Sequence, residues 1–105
     1  MVANLINDNG RAVANQFVIV EGSDINFQSY NSLVCSIRKG GMGFNKVIVF
    51  GCDWDYSRTT MKHLVSFLKQ NRINLNSASE IRKAIDKGYI VGNEDIAVWY
   101  DETMV

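Results

Sequence analysis

The spacing of apolar residues changes once along this chain, and that change limits the possible folds more than any other feature. Up to about residue 53 apolar side chains recur with the strand period of two: Ile25 and Phe27, then Leu33, Cys35 and Ile37, then the run Lys46 to Phe50. From Met61 the period becomes helical, with Met61, Leu64, Val65 and Leu68 at i, i+3, i+4 and i+7 and Phe67 widening the same face. With 105 residues, 47 % of them apolar, the chain has material for one modest core and one domain spanning 1–105. Net stability of ~5–10 kcal/mol is the expectation at this size, and a homodimer would be one way to raise it.

No proline is present, so turns must come from glycine, asparagine and aspartate. Asp8-Asn9-Gly10 reads as a tight hairpin turn in which Asn and Gly take positive φ. Glu21-Gly22-Ser23-Asp24 reads as a second turn, Lys39 to Gly43 as a hairpin loop, and Gly92-Asn93 as a turn between Tyr89-Ile90-Val91 and the run Asp95 to Tyr100. A phosphate cradle needs a helix start directly after its glycines, whereas a β-branched run follows here. Asp55 or Ser57 is placed to cap a helix near 58–70. Ser77 and Glu80 form a capping box in which Glu80 reaches back to the Ser77 amide, opening a short helix near 78–87 that Gly88 ends in the left-handed conformation. The fold class is α+β: an antiparallel meander of four to five strands packed against one amphipathic helix, with a second short helix.

Candidate chemistry concentrates in DWDYSRTT, residues 53 to 60. Asp53 and Asp55 would point the same way from an extended segment, the arrangement a hard cation needs, and this is the basis of a metal-dependent hydrolase alternative. Against it stands helix capping, which uses the same residue types and needs no ligand. Trp54 and Tyr56 read as aromatics wedged between sheet and helix, although Tyr30 and Tyr56 are also stacking candidates for bases. His63 is the only histidine and lies off the apolar stripe, which reads as an exposed helix position. Cys35 and Cys52 fall in strand-like runs and read as buried thiols of a cytoplasmic protein. No metal site, cofactor or catalytic residue is expected.

Charge is balanced, 11 basic against 11 acidic residues, which argues against a protein whose main task is coating nucleic acid. Its distribution is uneven. Seven basic residues lie between Arg58 and Lys87, and Arg58, Lys62, Lys69 and Arg72 fall in one narrow arc at ~100° per residue. The end of the chain is acidic, through Glu94, Asp95, Asp101 and Glu102. These groups either serve a partner or face each other.

Three segments, DNGRAVANQFVI (8–19), FQSYNSLV (27–34) and WDYSRTTMKHLVSFL (54–68), resemble a family of small uncharacterised proteins encoded by bacteriophages and prophages of Gram-positive hosts. The resemblance implies a phage or mobile-element origin and carries no catalytic residues. Small accessory proteins of this origin act by binding a host or defence protein, as anti-CRISPR inhibitors do. The expected function is therefore stoichiometric, non-enzymatic binding to such a protein, with Arg58, Lys62, Lys69 and Arg72 as partner-binding residues. The alternative is nucleic-acid binding through the same basic stripe, with Tyr30 or Tyr56 stacking.

Overall fold

The computed structural model describes residues 1–40, 46–91 and 95–100. Five strands run first: β1 (Val2–Ile6), β2 (Ala12–Glu21), β3 (Asp24–Ser29), β4 (Ser32–Lys39) and β5 (Lys46–Phe50). Helices α1 (Arg58–Gln70) and α2 (Ala78–Asp86) follow, then β6 (Tyr89–Val91) and β7 (Asp95–Tyr100). The strands form one antiparallel sheet in the order β1-β2-β3-β4-β5-β7-β6. The α+β class holds, but among the described residues the sheet has seven strands rather than four to five. The chain returns from the helices and lays β7 against β5, so the two C-terminal segments extend the meander instead of standing apart.

Facing positions across the sheet give the core its rows. Val18, Phe27, Cys35, Phe50 and Ile96 lie opposite one another on successive strands, as do Ile25, Ile37, Ile48 and Val98. Leu64, Phe67, Leu68 and Ile81 of the helices join this cluster, and Phe67 stacks on Phe27 with ring centroids 5.3 Å apart. The other face of the sheet presents Trp99, whose indole N–H donates to the Tyr89 hydroxyl at 3.2 Å.

One register slip changes which residues of β4 face inward. Phe27 lies opposite Cys35 while Gln28 lies opposite Leu33, which leaves Val34 as the extra residue of a bulge. Val34 is therefore buried beside Cys35, and Leu33, expected to share the Cys35 face, is 52 % exposed. Strict alternation fails here because a bulge adds one residue to the count.

The helix ends and turns bear out two expected caps and correct other expectations. Ser57 caps α1, its hydroxyl accepting from the Thr60 amide at 3.1 Å, and Ser77 caps α2 by accepting from the Glu80 amide at 3.2 Å. The Glu80 carboxylate reaches one residue further back than expected, to the Asn76 amide at 2.7 Å. Positive φ at the first hairpin belongs to Gly10 and not Asn9; the Asn7 carboxamide oxygen holds that turn by accepting from the amides of Asn9 and Arg11. Gly88 is not left-handed. It is required for space, since a Cβ there would lie 2.5 Å from the Ala97 carbonyl oxygen.

A left-handed helix end does occur after the other helix, α1, at Arg72, with φ of 62°. The Ile73 amide donates to Leu68 O at 2.9 Å and the Arg72 amide to Lys69 O at 3.0 Å, the paired bonds of a Schellman motif. Buried Ile73 and Leu68 supply its apolar contact. Arg72 thus lies beyond α1 and leaves the helical arc that Arg58, Lys62 and Lys69 share. Arg72→Gly is expected to stabilise the protein by about 0.5–1 kcal/mol in urea unfolding, because glycine takes this φ without a Cβ penalty. Destabilisation would show that the Arg72 side chain contributes more than its backbone costs.

Candidate functional site

DWDYSRTT begins as a pair of tight turns, not as an extended segment. The Trp54 amide donates to Gly51 O at 3.2 Å and the Tyr56 amide to Asp53 O at 3.0 Å. Turning sends neighbouring side chains in different directions. Trp54 goes inward, edge-on to Phe50 at 6.3 Å, as the expected wedge. Tyr56, expected beside it, is 84 % exposed. The Arg82 guanidinium lies over the Trp54 ring at 5.1 Å and pairs with the Asp55 carboxylate at 3.4 Å. Asp53 and Asp55 line different hollows, so the turn does not make them a pair of ligands. Among the described residues no cluster of three or more His, Cys, Asp or Glu side chains could hold a metal ion.

The larger hollow is a broad depression of about 1580 Å³ between the β1–β2 hairpin and α1. Arg58, Lys62 and Lys69 line it together, as one turn-to-turn stripe on a helix must. Asp8 and Asp55 lie at the same depression, while Arg72 does not line it. His63 also lines it and is half-buried, not exposed. Its pKa is lowered from the ordinary 6.5, first because burial penalises the imidazolium and second because the Lys62 ammonium repels it. The C-terminal end of α1 is tied to the sheet by the Gln70 carboxamide, which donates to Ile6 O.

The smaller hollow, about 540 Å³, lies between the β3–β4 hairpin and the start of α1, and shares Tyr56 and Ser57 with the larger one. Tyr30 and Tyr56, the two stacking candidates, both line it. Tyr30 is 60 % exposed and has φ of 53°. In the preceding two-residue hairpin the equivalent first loop position is Gly22, with φ of 61°. A tyrosine thus occupies a conformation that costs a side chain about 1 kcal/mol or more, and its ring is displayed to solvent. Beneath it the Ser57 hydroxyl donates to Thr60 Oγ1 at 3.1 Å, and the Ser29 and Thr60 hydroxyls lie 3.3 Å apart. Two of the segments that carry the family resemblance, FQSYNSLV and WDYSRTT, therefore meet at one place. The sequence alone pairs Asp53 with Asp55 and gives Ser32 no role at a site; the nearness of Asp53 and Ser32 to Tyr30 and Tyr56 depends on a strand pairing that spacing does not reveal.

The cysteines divide. Cys35 is fully buried, and loss of solvent pushes its thiol far above the usual range. Cys52, expected to be buried, is exposed because it begins the turn after β5, and its thiol donates to Asp53 Oδ1 at 3.0 Å. Of the acidic C-terminal residues only Asp95 lies within the described part, at the start of β7; Glu94, Asp101 and Glu102 lie outside it, as do most of the Lys39–Gly43 loop and the Gly92-Asn93 turn. Among the described residues no helix is long and apolar enough to cross a membrane.

These features define a small α+β protein whose antiparallel sheet carries two helices on one face and two adjoining hollows around the start of α1. The chain belongs to DUF8033, a family of unknown function whose model matches residues 1–88. No curated protein and no solved structure matches it.

Proposed function

We propose that this protein is a non-enzymatic accessory protein of a phage or mobile element that binds a host or defence protein stoichiometrically, in the manner of an anti-CRISPR inhibitor. The observation that carries the reading is the joint placement of Arg58, Lys62 and Lys69 along one depression wide enough for a segment of a partner. Three cations on one helix face favour an acidic partner surface, and long-range attraction of this kind speeds association more than it deepens affinity. The phage part of the reading rests on the sequence resemblance.

Reversing Lys62 and Lys69 to glutamate tests it. Both side chains are exposed, so the fold should persist. Capture of a partner from host lysate, quantified by mass spectrometry, is expected to fall by on the order of tenfold or more. Equal capture by the variant would remove this surface from the proposal.

Nucleic-acid binding is the second reading, favoured by the presence of Tyr30 and Tyr56 at the same hollow. It requires retention on RNA or single-stranded DNA that weakens steeply with salt, and a flat salt response would exclude it.

A further inference from the structure

We infer that the smaller hollow, between the β3–β4 hairpin and the start of α1, receives an arginine side chain displayed by the protein partner. This inference deepens the binding reading and rests on it. The hollow's charge selects the ligand: among the described residues its lining carries one ionisable carboxylate, Asp53, and no basic residue. An anionic group entering it would meet the Asp53 carboxylate without a compensating cation. A guanidinium meets the opposite situation. It can pair with Asp53, lie against the exposed rings of Tyr30 and Tyr56, and donate its remaining N–H groups to the hydroxyls of Ser32 and Ser57.

The same turn already shows this chemistry satisfied from within. Asp55 and Trp54 hold Arg82, through a 3.4 Å ion pair and a 5.1 Å guanidinium-to-ring contact. DWDY thus presents two carboxylate–aromatic pairs in succession, Trp54 with Asp55 and Tyr56 with Asp53, and the chain's own arginine fills the first. The second opens to solvent, with Tyr30 as an additional ring held in a left-handed conformation. Lysine would satisfy the charge but lacks the planar fork that both stacks on rings and spreads donors across several hydroxyls.

Titrating the ¹⁵N-labelled protein with N-acetyl-arginine N-methylamide, and separately with its neutral citrulline counterpart, tests this without any partner. Saturable amide shifts at residues 30–32 and 53–57 with the arginine compound, and at least fivefold weaker binding of the citrulline compound, are expected. Asp53→Asn should weaken binding by about fivefold, and Tyr56→Ala by a similar factor. Tyr30→Gly should weaken it while leaving the melting temperature equal or higher, because the ring is lost and the backbone strain relieved. That combination separates a recognition role from a structural one. Equal binding of the two compounds, shifts confined to the α1 depression, or undiminished binding by Asp53→Asn would each overturn the inference. The lysate capture reads the other claim: a partner held by wild type and by Asp53→Asn alike would contradict the arginine pocket and leave protein binding standing.

Discussion

Phe67→Ala is expected to lower the free energy of unfolding by about 3–5 kcal/mol, close to half of what a domain of this size possesses. Phe67 is fully buried on the inner face of α1 and stacks on Phe27, itself fully buried at the middle of β3. Removing the ring forfeits its transfer free energy and leaves a void that Leu64 and Leu68, fixed on the same helix, cannot close. The basic residues Arg58, Lys62 and Lys69 stand on this same helix, so the contact that anchors α1 also holds the basic stripe in place. Urea unfolding should show a lower midpoint with an unchanged slope, and a loss below about 1 kcal/mol would mean that α1 does not depend on this contact.

Gly88→Ala should be more damaging than a methyl added at Gly10, Gly22 or Gly51. The new Cβ would lie 2.5 Å from the Ala97 carbonyl oxygen, 2.7 Å from Ile96 Cγ2 and 3.2 Å from the Ile85 carbonyl oxygen. Two of those three atoms are backbone, and Ala97 is held in the ladder between β5 and β6, so relief requires moving β7 or the end of α2. A cost of about 1–3 kcal/mol follows for overpacking of this kind. Gly22→Ala provides the comparison, since nothing lies within 4 Å of its added Cβ and only the φ of 61° opposes it. Thermal unfolding should place Gly88→Ala well below Gly22→Ala, which loses about 1 kcal/mol. The reverse order would show that α2 and β7 do not approach as closely as described.

What could be read before the structure, and what could not, divides along local and non-local physics. The extent of α1 and the cap at Ser77 depend on residues within four positions of one another and were legible, while the α1 cap was legible only as a choice between Asp55 and Ser57, of which Ser57 caps. Long-range pairing was not. The placement of β7 beside β5 raised the strand count, and the bulge at Val34 exchanged Leu33 for its neighbour; neither leaves a mark in composition or period. Glycine misled for a related reason. Gly88 looked like a left-handed helix stop but makes room for β7, while the actual left-handed stop fell on Arg72, which no propensity would select. At the candidate site three of the four basic residues do line one depression, and both tyrosines line one hollow. The turn at Asp53 to Tyr56 was the feature that extended-strand reasoning missed, and it separates the two carboxylates.

The adjoining hollows give the opening stretch of α1 a consistent role. Ser57 caps the helix and lines both hollows, Tyr56 stands between them, and Arg58 begins the basic stripe one residue later. The α1 cap and the lining of both hollows thus share one residue, Ser57.

Lysine footprinting of the purified complex tests the binding account most directly. Lys62 and Lys69 line the depression, whereas Lys83 and Lys87, at the C-terminal end of α2, line neither hollow, and all four are exposed in the protein alone. Acetylation followed by mass spectrometry is expected to show Lys62 and Lys69 losing reactivity on binding while Lys83 and Lys87 keep theirs. Protection of Lys83 and Lys87 with Lys62 and Lys69 still fully reactive would contradict the assignment of α1 as the partner-binding face.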